Sequence, residues 1–191
     1  MKYRIVNRVS KLLSGERQTP FARPAGFDAL YRSTYRSVYR YVFGLTGGPV
    51  KEVEDLAAET YLRAWESRER FHGPAEDGIG WLLRIARNLV IDRYRREGSR
   101  PALEGMTMEE ISLPAATHTE EQVIALERQA VLFRLLAQLP DEQRELLVLR
   151  YLLGWKVRQI GRHVSMPENT VSVYIRRALE KLRALWPPEE N

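Results

Sequence analysis

An arginine-rich segment, residues 81–96, is the part of the sequence most suited to binding chemistry. It holds five arginines and no lysine, and its apolar residues recur at helical spacing. We predict a buried stripe formed by Leu82, Ile85, Ala86 and Leu89. The opposite face carries cations for phosphates, an amide for a base edge and an indole for stacking, which are the components of single-strand recognition. The candidate strand-binding residues are Trp81, Arg84, Arg87, Asn88 and Arg95.

The same segment has a second interpretation as an ordinary solvent-exposed helix. Tryptophan is mostly buried in proteins, so Trp81 taken alone fits a core position better than a stacking platform. The arginines taken together are better explained by nucleic acid, because only one aspartate, Asp92, lies among them.

The helix predicted for residues 50–67 has the opposite charge. Its outer face carries acidic residues close to an aliphatic and an aromatic side chain, namely Glu52, Glu54, Asp55, Glu59, Leu62 and Trp65. An acidic face with exposed apolar side chains suggests a protein partner. A solvated acidic face with Trp65 in the core explains the same pattern equally well.

A short helix, a tight turn and a longer helix are predicted for residues 156–185, which is the helix-turn-helix pattern. We expect Ser165 to cap the longer helix, with Glu168 completing a capping box and Pro167 in the first turn. The first turns of this helix would enter the major groove of duplex DNA. Residues placed to reach base edges or phosphates are Asn169, Thr170, Ser172, Arg176 and Arg177. Taken alone, such a basic outer face is as often simply solvated.

Composition limits the other classes of function. The chain has 191 residues, is 44% hydrophobic and carries a formal net charge of +5, which permits a packed core and mildly favours an anionic partner. Cysteine is absent, which excludes disulfides and thiolate metal sites. The histidines, His72, His118 and His163, lack metal-ligand spacing, and no phosphate-binding glycine loop is present. We therefore expect neither an enzyme nor a metal or cofactor.

The elements that must position these residues are all predicted to be helical, giving an all-α protein of two small domains joined by a flexible linker. The predicted units are a basic extension (1–24), a helical domain (25–97), a linker rich in glycine, proline and small polar residues (98–119) and a helix-turn-helix domain (120–187). The extension could be a short amphipathic helix on a partner or membrane surface, although a frayed tail explains it better. Neither a signal peptide nor a membrane span is recognisable, so we expect a cytoplasmic location without membrane insertion.

Four segments in order resemble an extracytoplasmic-function (ECF) sigma factor. They are "FDALYRSTYRSVYRYVFGLTGG", "VEDLAAETYLRAWESRERF", "GWLLRIARNLVIDRYRR" and "LAQLPDEQRELLVLRYLLGWKVRQIGRHVSMPENTVSVYIRRALEKLR". The resemblance implies a bacterial transcription initiation factor that binds core RNA polymerase and directs it to promoters. The first domain is similar to the family's region two and the second to its region four.

The resemblance also implies a role for individual residues. By this resemblance, the residues expected to dock on the clamp of the polymerase β′ subunit are Asp55, Leu56, Glu59, Thr60, Leu62 and Trp65. The residues that the resemblance assigns to recognition of the melted minus-ten element are Trp81, Arg84, Arg87, Asn88 and Arg95. Those that it assigns to recognition of the duplex minus-thirty-five element are Arg150, Thr170, Ser172, Val173, Arg176 and Arg177. The implied partners are core polymerase (β′ clamp and β flap), promoter DNA and an inhibitory anti-sigma factor, with no small-molecule substrate.

The chain departs from the family pattern in the helix-turn-helix. The recognition helix reads "TVSVY" where "TVKSR"-like runs are common, Ser165 stands where glycine is usual in the turn, and His163 takes a commonly apolar position. These departures predict weaker or altered recognition of duplex DNA. Two alternatives remain at this point: a helix-turn-helix regulator that binds duplex DNA without polymerase, and a sigma-like protein that binds polymerase without a promoter.

Overall fold

The computed structural model describes residues 19–98 and 131–186, and every long regular element in these two ranges is a helix. The first range contains α1 (Pro24–Thr46), α2 (Val50–Ser67) and α3 (Gly78–Glu97), with short 3₁₀ turns at Arg68–Arg70 and Ala75–Asp77. The second contains α4 (131–137), α5 (Asp141–Leu147), which continues as a π-helical turn (Val148–Leu152), α6 (Val157–Val164) and α7 (Glu168–Leu185). The all-α prediction is confirmed. Most of the predicted basic extension, the interior of the predicted linker and the start of the predicted second domain lie outside the described residues.

Helices α1, α2 and α3 pack against one another around a common core. The chain can reverse after α1 because Gly47 adopts φ 60° and its amide donates back to the Phe43 carbonyl. Fully buried side chains come from all three helices: Val38, Tyr41 and Val42 of α1, Val53 and Ala57 of α2, and Leu82, Leu83 and Ala86 of α3. The predicted buried stripe is correct at Leu82, Ala86 and Leu89, whereas Ile85 is half-buried.

The helix-turn-helix is built by α6 and α7, and α5 packs across α7. Its two helices approach closely at Gly161, where an added Cβ would lie 2.7 Å from the Met166 carbonyl oxygen. The turn is made by Ser165, a residue with left-handed backbone geometry (φ 56°, ψ 41°). The chain therefore uses serine at a position that glycine would occupy without steric cost.

The predicted capping box on α7 is wrong. Ser165 ends α6 and does not begin α7, whose N-cap is Pro167 without a side-chain cap. Because Ser165 is used to turn the chain, it lies too early to accept from the first amides of α7. Pro167 consequently stands just before the helix and not in its first turn.

The two helical units share one apolar core across the described residues. The rings of Phe43 on α1 and Phe133 on α4 meet edge to face, with centroids 4.7 Å apart. Gly44 allows α1 to approach the π-helical turn, because a Cβ there would lie 2.7 Å from Val148 Cγ2. Packing of this closeness was not predicted, since each amphipathic helix was assigned to the core of its own domain. No helix within the described ranges is both long and apolar enough to cross a membrane.

Candidate nucleic-acid interface

Helix α3 brings together most of the residues predicted to bind a single strand. Its inner face is anchored in the core, so its outer residues have fixed positions. Arg84 and Asn88 are exposed, and they line one cleft together with Arg87. Arg95 is also exposed, two turns further along the helix and outside this cleft. The arrangement offers two guanidinium groups and one amide to the same ligand.

Trp81 belongs to an aromatic cluster at the start of α3. Its ring is parallel to that of Phe21, with centroids 6.1 Å apart, and lies 5.0 Å from that of Phe71. Trp81 is half-buried while both phenylalanines are buried. The Trp81 side chain therefore remains partly accessible, although it packs against the core. Sequence reasoning missed Phe21 and Phe71, because both stand in irregular segments without periodicity.

The Arg87 side chain is already engaged by the second helical unit. Its Nε donates to Glu145 Oε2 at 2.7 Å, and the Tyr41 hydroxyl donates to Glu145 Oε1, also at 2.7 Å. The Glu145 side chain is only 6% exposed, and His163 Nε2 lies 3.9 Å from its Oε1. Sequence reasoning missed Glu145, since one glutamate inside an acidic helical turn carries no signal of a distant partner.

This cluster perturbs the titration of its members. Burial raises the pKa of Tyr41 well above its usual value, and the Glu145 carboxylate adds to the shift through charge and hydrogen bonding. Partial burial lowers the pKa of Arg87, but the attraction of Glu145 outweighs it and the net shift is upward. Burial lowers the pKa of His163, and although Glu145 opposes that shift, Arg84 and Arg87 reinforce it. The imidazole is therefore held toward its neutral form.

The cleft beside α3 has a volume of about 310 Å³. One wall is the predicted strand-binding face of α3, which we define as Arg84, Arg87 and Asn88. The opposite wall belongs to the second helical unit and consists of Glu142, Glu145, Leu146, His163, Val164, Ser165 and Met166. The helix-turn-helix turn thus faces the residues predicted to hold a strand.

Helix α2 presents only part of the predicted docking surface. Asp55 and Leu62 are exposed, with Leu62 at 53%, and Glu59 is half-buried in a pair with Arg63. The structure does not place Leu56 or Thr60 on the surface: the former is 6% exposed and the latter fully buried. Their spacing puts them on the stripe that faces α1 and α3, so they lie beneath the predicted docking surface.

Trp65 at the end of α2 packs on the core while one face stays covered by a cation. Its ring meets Phe27 edge to face at 5.1 Å, and the Arg68 guanidinium carbon lies 3.7 Å from its centroid. This arrangement matches the alternative in which Trp65 is mainly a structural residue.

The recognition helix α7 exposes the polar residues that were predicted to meet duplex DNA. Ser172, Arg176 and Arg177 are exposed, and Thr170 and Val173 are half-buried. Arg150 differs from them, because its Nη1 donates to the Trp155 carbonyl at 2.9 Å and so fixes the loop before α6. No cluster of residues suited to hold a metal occurs within the described ranges.

Comparison with known families accounts for both helical units. The family Sigma-70 region 2 matches residues 30–100, and Sigma-70, region 4 matches residues 129–182. The ECF RNA polymerase sigma factor SigW of Bacillus subtilis is 32% identical over 143 residues, which cover 71% of this chain and 76% of SigW. SigL of Mycobacterium tuberculosis, another ECF RNA polymerase sigma factor, is 33% identical over 162 residues, covering 85% and 89% of the two chains.

The chain belongs to the ECF sigma factors. Solved structures of the same fold include the sigma factor RpoE of Bartonella quintana in complex with the anti-sigma factor NepR, with a TM-score of 0.60 at 21% identity over 83% of this chain and 95% of that chain. CnrH in complex with the cytosolic domain of CnrY gives a TM-score of 0.61 at 21% identity, covering 89% and 97%. This sigma factor therefore acts in transcription initiation and is not an enzyme.

Proposed function

We propose that this sigma factor binds core RNA polymerase and selects promoters through two DNA contacts. Helix α7 reads the minus-thirty-five element as duplex, and α3 holds the melted minus-ten element as a single strand. The observation that carries the proposal is the convergence of Arg84, Arg87 and Asn88 on one cleft of a rigidly anchored helix. Guanidinium groups suit phosphate oxygens, and the amide suits the edge of an unstacked base.

Polymerase docking is assigned to the exposed part of α2. Leu62 supplies an apolar anchor, and Asp55, two turns away on the same helix, supplies negative charge, while Glu59 is paired with Arg63. Such a surface fits a partner that is itself apolar at the centre and basic at the rim. We assign this partner to the clamp of the β′ subunit and propose that the β flap contacts the second helical unit.

Duplex recognition by α7 is proposed to rest on few cations. Arg176 and Arg177 supply the positive charge, while Ser172 and Tyr174 stand where basic residues are common in the family. Each phosphate contact adds to affinity and to its salt dependence. The minus-thirty-five contact is therefore weaker and less salt-dependent than in relatives with basic residues at these positions.

An anti-sigma factor is the further partner that we propose. RpoE of Bartonella quintana, which shares this fold, forms a complex with the anti-sigma factor NepR, and CnrH forms one with the cytosolic domain of CnrY. A protein that covers the exposed faces of α2 and α3 would block polymerase and DNA together. From this partner and the transcriptional role, we propose a cytoplasmic location.

Run-off transcription on genomic fragments with purified core polymerase tests the proposal. We expect discrete start sites that appear only when the sigma factor is added. Binding to polymerase without such start sites would instead support a protein that docks without promoter recognition. If the protein binds duplex DNA but does not bind polymerase, the result would support an ordinary helix-turn-helix regulator.

A further inference from the structure

Three rings at the start of α3 form one aromatic cluster, and one of these rings comes from the segment before α1. The Phe71 centroid lies 4.9 Å from that of Phe21 and 5.0 Å from that of Trp81. The Phe21 and Trp81 rings are parallel to within 2°, with centroids 6.1 Å apart. Phe21 and Phe71 are buried, whereas Trp81 is half-buried. The indole that the resemblance assigns to the DNA strand therefore rests on two buried rings.

The Phe21 ring also packs on the backbone at the first residue of α3. A Cβ added to Gly78 would lie 2.6 Å from Phe21 Cζ, so the ring can occupy this position only beside a glycine. Trp81 follows Gly78 by three residues, which is about one turn of the helix. Phe21 thus packs on the start of α3 and on its first aromatic side chain together.

The segment that carries Phe21 is fixed by contacts with both α1 and α2. At the end of α2, Arg68 Nε donates to the Ala22 carbonyl at 3.3 Å. In the first turn of α1, Gly26 leaves space for the Pro20 carbonyl oxygen, which would lie 2.1 Å from an added Cβ. The position of the ring is therefore determined by the first helical unit and not by its immediate sequence neighbours alone.

The loop between α2 and α3 depends on the same ring. Phe71 is buried, most of residues 72–77 are exposed, and burial resumes at Gly78. Both ends of this loop, Phe71 and Gly78, pack on Phe21. A smaller side chain at Phe21 would therefore loosen the loop and the Trp81 indole at the same time.

We propose that Phe21 is a positioning residue for recognition of the melted minus-ten strand, because its ring holds the Trp81 indole and the loop of residues 71–77 in place. Trp81, Arg84 and Asn88 follow one another at intervals of three and four residues, so they share one face of α3. A displaced indole would misplace a base held against Asn88. Phe21 precedes residue 30, where the match to Sigma-70 region 2 begins. This inference rests on the proposed role of α3 in binding the strand.

The first test compares Phe21→Leu with Phe27→Leu in the full chain. Both changes replace a buried ring by an apolar side chain, but Phe27 packs on Tyr61 and Trp65 and not on Trp81. Each variant is assembled with core polymerase at a temperature at which circular dichroism shows it to be folded. Run-off transcription is measured on a genomic promoter fragment that the wild type uses, and on a set of fragments with single substitutions across its minus-ten element.

The readout is the ratio of transcription from the parent promoter to transcription from each substituted promoter. We expect Phe21→Leu to lower this ratio about tenfold at the most selective position, since a misplaced base contact no longer discriminates. Phe27→Leu should keep the wild-type ratio. Partial unfolding lowers transcription from every fragment by the same factor, so a merely structural role would not change the ratio.

The second test reports the position of the loop without DNA or polymerase. Arg70 is exposed, and trypsin cleaves the bond between Arg70 and Phe71. Cleavage requires the chain to open locally, so its rate follows the population of molecules with a displaced loop. We expect Phe21→Leu to raise the rate at this bond about tenfold, since two ring contacts are lost. Phe27→Leu should cleave at nearly the wild-type rate, with mass spectrometry identifying the bond.

A third variant displaces the ring without removing it. Gly78→Ala adds a Cβ that would lie 2.6 Å from Phe21 Cζ and 2.8 Å from Leu30 Cδ1. In the control, Gly80→Ala, the nearest atom to the added Cβ is His163 Nδ1 at 3.6 Å, an ordinary contact. We expect Gly78→Ala to lower the discrimination ratio in the same direction as Phe21→Leu, and Gly80→Ala to leave it unchanged. This pair serves as the check if Phe21→Leu proves poorly folded.

The outcomes separate the inference from the function on which it rests. Wild-type discrimination ratios in both Phe21→Leu and Gly78→Ala would overturn the positioning role. Faster cleavage after Arg70 with an unchanged ratio would also overturn it, and would leave Phe21 as a residue of the core alone. Failure of the proposed function would appear differently, as absence of start sites on every genomic fragment with the wild-type holoenzyme itself.

Discussion

The Arg144 side chain and the Leu45 carbonyl are joined by a hydrogen bond of 2.7 Å, from Nη1 to O, across 99 residues of sequence. Leu45 lies in the last turn of α1, where carbonyls have lost their helical partners. The same guanidinium donates to the carbonyls of Leu136, Ala137 and Leu139. One arginine, 2% exposed, thus closes the ends of two helices and joins the two units.

Replacement of Arg144 tests this junction. Arg144→Met leaves several buried carbonyls without these donors, so we expect the free energy of unfolding to fall by about 3 kcal/mol. Thermal or urea unfolding followed by circular dichroism measures the loss. Arg134→Met, at an exposed position of α4, is the matched control and should leave stability nearly unchanged. Equal stability of both variants would refute the junction.

Asn88 tests the strand contact. Asn88→Ala removes an exposed amide without disturbing the core, so polymerase binding should be retained. Open-complex formation, measured by permanganate reactivity of promoter thymines, is expected to fall about tenfold because one base contact is lost. Asp92→Ala, exposed on the same helix, provides the control. Normal promoter melting by Asn88→Ala would show that its assigned role is wrong.

Leu62 tests the docking surface. Its side chain is 53% exposed beside Asp55, so truncation costs little folding energy but removes an apolar anchor. We expect Leu62→Ala to lower affinity for core polymerase by about tenfold, and Asp55→Ala to lower it less. Leu179→Ala, at a 40% exposed position on α7, separates this effect from general loss of surface hydrophobicity. Unaltered polymerase affinity in Leu62→Ala would show that polymerase docks on a different surface.

Ser165 tests the strain in the helix-turn-helix turn. Because φ is 56° at this residue, Ser165→Gly should relieve the left-handed conformation and raise the free energy of unfolding by about 0.5–1 kcal/mol. Ser172→Gly, within right-handed α7, should have the opposite sign. Chemical denaturation of both variants measures these changes in stability. Destabilisation by Ser165→Gly would contradict the strain that we assign to the turn.

His163 tests the pH dependence of the contact between the units. Burial lowers its pKa below the ordinary 6.5, so the unfolded chain binds more protons than the folded protein. Its stabilising contribution is therefore complete above that value and declines as the pH falls below it. We expect His163→Gln to lose less stability than wild type between about pH 7.5 and about pH 5.5. His72→Gln, at an exposed position, should behave like wild type, and identical curves for all three proteins would exclude His163 as the source.

Local patterns were sufficient for the helices. Apolar spacing placed α2 at residues 50–67, and the run of Gly47, Gly48 and Pro49 ended α1 where the structure ends it. Such features depend on neighbours three or four residues away, which a single sequence displays directly. The same reasoning identified Arg84, Asn88 and Leu62 as outward-facing, because burial of one helix stripe determines which residues remain outside.

Capping at the turn was less accessible to sequence reasoning. Ser165 and Glu168 have the spacing of a capping box, yet the serine is needed to reverse the chain after α6. Two local uses of one residue compete here, and the close approach of Gly161 to the Met166 carbonyl favours the turn. That approach lies within the turn itself, where the Met166 amide also donates to the Gly161 carbonyl, and the spacing of Ser165 and Glu168 does not display it.

The sequence by itself determined the class of fold, the order of the helices and the family, because these follow from short-range periodicity and from motifs in a fixed order. Only the tertiary structure decided that Glu145 would meet Tyr41 and Arg87, and that Arg144 would reach Leu45. Those contacts join residues that are 58 to 104 positions apart. They arise when apolar faces of α1, α4 and the π-helical turn bury one another, and that packing carries the polar side chains along with it.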